Sequence, residues 1–222
     1  MKNGKHIFFA VVICFITNQS YTQNSLFSIG AFGGQNFSTM RGTSYIDDNH
    51  TNKTGFTGGL TFNYQINDIL SFQPEIVFER KGSTAPSYEI RDLEGYSLGF
   101  LYGGDYHYDY LTIPLLLNVS IGKNLKLFVN LGSYLSYLIN QTDDYSTVVI
   151  GNTNNMYPAK SFDFGIVTGI GFEIPLNENV SLFFEGRNNL GLLDIGDIPS
   201  FYDHGPIKHN SIAIMGGLKY NF

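Results

Sequence analysis

Between Gly55 and Ile66 the chain reads GFTGGLTFNYQI. Parity sorts it, with Phe56, Gly58, Leu60, Phe62, Tyr64 and Ile66 on one face and Thr57, Gly59, Thr61, Asn63 and Gln65 on the other. Period two over this length predicts a strand with one apolar and one polar face. After Asn67-Asp68 the alternation resumes, Leu70, Phe72, Ile76 and Phe78 opposing Ser71, Gln73, Glu75 and Glu79. Two such runs around a tight Asn-Asp turn predict a hairpin. The event recurs twice. Leu111 to Ile121 alternates into Gly122-Lys123-Asn124 and out again through Leu125, Leu127, Val129, Leu131 and Leu135. Phe162 to Ile174 reaches Asn177-Glu178-Asn179, and Val180, Leu182 and Phe184 leave it. A first strand near Leu26 to Phe37 and a last near His209 to Phe222 bring the total to eight. No stretch shows a helical period, so the expectation is an all-β, eight-stranded antiparallel up-and-down barrel.

The connections alternate in length. The three turns above are short, whereas Ser38 to Thr54, Gly82 to Tyr106, Asn140 to Lys160 and Leu192 to Lys208 read as long loops rich in Gly, Asn, Asp, Ser and Tyr. Short turns at one end and long loops at the other predict a transmembrane barrel of the bacterial outer membrane. Charge supports an apolar face turned to lipid. Glu75, Glu79, Lys126, Asp163, Glu173, Glu185, Arg187 and Lys219 all share the polar parity, together with small and apolar residues suited to a narrow lumen: Gly59, Gly132, Gly165, Gly169, Gly171, Gly217, Phe128, Val167 and Met215. Aromatic residues complete two belts at the expected interfaces. Phe62, Tyr64, Phe72, Phe172, Tyr220 and Phe222 lie near the short turns, and Phe37, Phe56, Phe78, Tyr110, Tyr137 and Phe162 near the long loops.

The first residues refine the location. Lys2 and Lys5 precede an apolar run from Ile7 to Ile16 and a polar stretch with small Ser20 and Thr22, which predicts a signal peptide over residues 1–22 and a barrel over 23–222. The single cysteine, Cys14, lies within the apolar run, and Ile13 before it argues against lipid attachment. Removing the peptide takes the formal charge from −6 to −8, which gives no electrostatic reason to expect nucleic acid as a partner. Charged residues make up 14% and aromatic residues 15% of the chain, with 25 glycines and no tryptophan. So little charge suits a surface that water does not cover.

Taken together, FSIGAFGGQNFS, GFTGGLTFNYQINDILSFQPEIVFERKGS, YDYLTIPLLLNVSIG and the closing GGLKYNF resemble the PorT-type outer-membrane β-barrel family, widespread in Bacteroidota. The resemblance implies an integral barrel without a catalytic signature, and a place in a protein-secretion complex. Gly217, Tyr220 and Phe222 also resemble the C-terminal signal read by the outer-membrane assembly machinery, with Met215 in place of its usual polar residue.

Candidate chemistry is sparse. Eight strands enclose an interior about wide enough to be filled by side chains, so Glu75, Glu79, Lys126, Glu173, Glu185, Arg187 and Lys219 are expected to form an ion-pair network in the lumen rather than a conduction path. His209-Asn210-Ser211 has the spacing of a lipid A deacylase pair, but reads better as solvated residues near a loop, with Ser211 on the lumen parity. Asp47, Asp48 and His50, and Asp194, Asp197, Asp203 and His204, read as solvated loop charge rather than a metal site. No cofactor or metal is expected. The remaining partners are membrane lipid and lipopolysaccharide, and a protein bound through the tyrosine-rich loop YEIRDLEGYSLGFLYGGDYHYDY, which equally reads as two tall strands. The function expected is structural or partner-binding, within a secretion or envelope complex. The alternatives are a lipid A-modifying enzyme and a soluble lipocalin-like carrier.

Overall fold

A computed structural model describes residues 26–145, 159–196 and 205–222. The predicted signal peptide, and Asp197, Asp203 and His204, lie outside them. The eight strands are β1 (Phe27–Arg41), β2 (Thr51–Gln65), β3 (Leu70–Arg91), β4 (Ser97–Ile121), β5 (Lys126–Tyr145), β6 (Phe162–Pro175), β7 (Val180–Gly191) and β8 (Lys208–Asn221). Each pairs antiparallel with its sequence neighbour, and β8 returns to β1 to close the barrel.

Three short turns gather at one end. Two are twins. In Ile66 to Ile69 the Asn67 carboxamide oxygen accepts the amides of Ile69 and Leu70 at 2.9 Å each, and in Leu176 to Asn179 Asn177 does the same for Asn179 and Val180 at 2.9 and 2.8 Å. The third uses Gly122 at φ 111, a left-handed conformation that suits glycine. The chain end is held here as well. Phe222 N–H donates to Phe27 C=O at 3.2 Å, and the Asn179 side chain donates to Asn221 C=O at 3.0 Å.

At the other end the strands run further than their alternation indicates. Ser38 to Arg41 extends β1, and most of the expected loop from Gly82 to Tyr106 is strand, leaving a turn at Asp92 to Tyr96. A short helix, α1 (Ser44–Asn49), also stands in the first loop, where no helix is expected. It is too short to show a period, and Thr43 caps it by accepting the Ile46 amide at 3.2 Å.

Parity assigns the two faces correctly. Leu111, Ile113, Leu115, Leu117 and Val119 point outward at 41 to 49% exposure, and Leu127, Val129, Leu131 and Ile170 are likewise exposed. An apolar wall of this extent has no place in water. The inward parity is buried and mixed. Phe32, Val77, Phe128, Phe183, Ala213 and Met215 form one cluster, and Leu116, Tyr134 and Val167 another. A lipocalin-like carrier requires the reverse, so that alternative fails on geometry. Both belts are present, with one correction: Tyr110 points into the lumen at 0% exposure, and its outward neighbour Leu111 occupies the wall.

Candidate functional site

The lumen places its charges in three separate groups rather than one network. At the turn end Glu173 sits between two lysines, Lys219 at 2.9 Å and the half-exposed Lys126 at 3.7 Å. Above it, Arg187 forks onto Glu75 at 2.6 and 2.9 Å and onto Glu185 at 2.9 and 3.0 Å, all three buried. Gln73 donates to Glu75 at 2.8 Å, and the guanidinium lies 5.7 Å from the Phe32 ring centre. Bidentate geometry of this kind gives the strongest charge-assisted pairing.

The third group contains two residues absent from the predicted network, Lys81 and Asp163. Lys81 is fully buried between Glu79 at 3.4 Å and Asp163 at 3.5 Å, with the Tyr134 and Tyr110 rings 4.6 and 5.2 Å away. Thr112 and Asn189 donate to Glu79 at 3.0 and 2.6 Å, and the Tyr134 hydroxyl donates to Asp163 at 2.9 Å. Each fully buried cation is therefore flanked by two carboxylates, and the turn-end carboxylate by two cations. Lys81 shares its parity with Glu75 and Glu79, which was the signal available; it is the last residue before the expected loop.

His209 and Ser211 are buried in the lumen at 0 and 2% exposure, which corrects their reading as solvated. The His209 Nε2 lies 3.3 Å from the Tyr110 hydroxyl, and the rings of Tyr108 and Tyr110 meet the imidazole edge-on. Nothing in that arrangement opens onto acyl chains. Met40, Ile46, Tyr106, Tyr108, Tyr110, Ile195 and Ile207 then close the outer mouth, Ile46 being supplied by α1.

Three of the loop residues weighed for metal binding, Asp47, His50 and Asp194, have partners within the protein. Asp47 accepts the Gly42 amide at 3.0 Å, and the His50 ring meets the Ser83 hydroxyl at 2.9 Å and stacks on Tyr106. Asp194 accepts the amides of Ile207 and Gly196 at 2.8 and 3.1 Å and the Lys160 ammonium at 3.2 Å. Partial burial opposes its ionisation, but these donors outweigh it and hold the carboxyl below its ordinary value of 3.8.

Outside the lumen the most prominent feature is the β3–β4 ribbon. β2 pairs with β3 no further than Thr51 opposite Thr84, and β5 accompanies β4 to Tyr145 opposite Gly104. Beyond those rungs, among the described residues, the two strands pair only with each other, up to Arg91 opposite Ser97. Leu93 and Tyr96 at the tip are exposed.

The C-terminal residues have structural roles of their own. Gly217 faces inward, where a Cβ would lie 2.7 Å from the Phe183 ring, while Tyr220 and Phe222 pack edge-on at 5.2 Å on the outer wall.

No curated protein matches the chain in sequence. Among solved structures it is similar to neisserial surface protein A, at 15% identity over 89% of this chain and 98% of that one, with a TM-score of 0.51. It is also similar to the outer membrane protein OprG from Pseudomonas aeruginosa, at 15% identity over 90% and 98%, with a TM-score of 0.55. At such identity these likenesses speak for the fold. The family model described as "Outer membrane protein beta-barrel domain" matches residues 18–197, from before β1 through β7. An apolar outer wall between two aromatic belts, a packed polar lumen and this match agree: the chain belongs to the outer membrane protein beta-barrel domain family and is a protein of the bacterial outer membrane.

Proposed function

We propose that this protein is a non-enzymatic outer-membrane barrel that presents the β3–β4 ribbon to a protein partner, within a secretion or envelope complex of the PorT type in Bacteroidota. The ribbon carries this reading. Beyond its last rung with β2, β3 continues from Ala85 to Arg91 for roughly 20 Å of strand at about 3.3 Å per residue, well above the outer belt. Binding surfaces on barrels are built on such extensions, because the wall below them is fixed. The filled lumen supports a scaffold rather than a conduit, and His209, the base of the pair that was spaced like a catalytic one, is held by Tyr108 and Tyr110. On this reading residues 1–22 direct export and are removed, and the segment containing Gly217, Tyr220 and Phe222 is read by the assembly machinery.

The test is a pull-down of tagged protein from native outer membranes in mild detergent, beside a variant whose residues 85–105 are replaced by a two-residue turn. Stoichiometric recovery of envelope or secretion proteins with the full chain, lost in a variant that still assembles, is the expected result. Recovery of both proteins alone would refute the partner role.

A further inference from the structure

The rim above the outer belt carries six cations on described strands or loops, and four are neutralised. Lys53 pairs with Asp105, Arg80 with Asp109 at 2.6 Å, Arg91 with Glu89 at 2.7 Å and Lys160 with Asp194 at 3.2 Å. The other two are Arg41 at the end of β1 and Lys208 at the start of β8. They face each other directly in the β1–β8 register. Like charges directly opposite on adjacent strands repel, and among the described residues no carboxylate reaches either one.

Their surroundings offer hydrogen-bond donors suited to an anion. Arg41 spends one guanidinium N–H on the Gly191 carbonyl at 2.5 Å, while its Nε is buried without a partner. A buried donor without an acceptor is costly, and here it belongs to a charged group. Two rungs below, on the same face, Thr39 stands opposite Asn210, whose carboxamide oxygen accepts from Asn188 at 3.0 Å. That bond leaves the Asn210 amide protons available to an acceptor above.

Height fixes the kind of anion. Inward Met40 and His209 put Arg41 and Lys208 on the outward parity. Each lies four residues beyond a lipid-facing side chain, Phe37 on β1 and Ile212 on β8. At about 3.3 Å per residue and a typical strand tilt, that is roughly 10 Å above the outer belt, whose rings sit at the head-group level, so the long Arg41 and Lys208 side chains stay within reach of lipid phosphates.

We propose that Arg41 and Lys208, with Asn210 beneath them, bind a phosphate of lipid A in the outer leaflet. A phosphate between the two cations converts their repulsion into two charge-assisted contacts and gives the Arg41 fork a planar pair of oxygens. The site rests on the outer-membrane location alone and is independent of any protein partner.

The experiment compares thermal unfolding of the full barrel in nanodiscs containing bisphosphorylated lipid A with unfolding in nanodiscs containing dephosphorylated lipid A. Wild type should unfold at a higher temperature with the phosphorylated lipid. An Arg41→Gln/Lys208→Gln variant should lose that difference and bind the lipid at least about tenfold more weakly. Lys160→Gln, at a cation already paired, should retain it. Equal unfolding of wild type in both lipids, or an undiminished difference in the double variant, would overturn the proposal. So would millimolar inorganic phosphate reproducing the shift without lipid A, which would assign the cradle to a free anion. If the double variant does not assemble, Lys208→Gln alone is read in the same two lipids, with a reduced difference expected and an unchanged one overturning the site.

Discussion

Arg187 holds the middle of the lumen, because two buried carboxylates depend on one guanidinium. Arg187→Leu strands Glu75 and Glu185 and should cost about 3–5 kcal/mol, seen as a lower urea midpoint for loss of the heat-resistant folded band on gels. Lys126→Ala removes a half-exposed partner at 3.7 Å and should change stability in that assay by under about 1 kcal/mol. Packing sets a second limit. A Cβ on Gly171 would lie 2.3 Å from the Phe128 ring and 2.2 Å from the Phe184 carbonyl, so Gly171→Ala should destabilise by about 1–3 kcal/mol in the same assay. What the sequence disclosed about these residues was their face. Parity placed all seven predicted network residues in the lumen, but it carries no height, so three stacked groups looked like one. Height follows from strand tilt and register, which join residues as far apart as Glu75 and Arg187. Tyr110 shows the opposite error: its parity matched inward Thr112, yet its ring suggested the belt.

Turns and strand ends show the same division. The Asn-rich turns were legible because Asn67 and Asn177 act locally, through their own next amides. The ribbon was undecided, since Tyr, Leu and Gly suit both a tall strand and a binding loop, and only pairing distinguishes them. α1 escaped notice because a helix of 6 residues depends on its cap and on Ile46 packing in the mouth rather than on a repeat. Acid should loosen this mouth through Asp194. Its pKa is depressed in the folded protein, so its contribution is complete above 3.8 and is lost as pH falls below that value. Limited pepsin digestion should accordingly begin cutting between Leu192 and Ile207 below about pH 3.8 while the barrel stays intact. Asp194→Asn should make that cutting less dependent on pH.

The whole molecule is turned inside out relative to a soluble domain, and its outer wall can be tested at one point. Leu115 is outward, flanked by Ile113 and Leu117, and Leu115→Arg should cost about 2–4 kcal/mol and reduce recovery in the membrane fraction. The amphipathic pattern disclosed this architecture because every strand repeats it. The Arg41–Lys208 contact stayed hidden because it joins residues from opposite ends of the chain.

That same seam orders events in time. Ser28 opposite Asn221 is among the most distant pairings in the barrel, so the first strand must wait for nearly the whole polypeptide before it acquires its second neighbour. Until then the growing sheet has two bare edges and an apolar surface, a species prone to aggregate unless it is chaperoned. Closure is therefore the last and least local step of biogenesis, and a chain stalled before β8 remains an open sheet however well its first seven strands have paired.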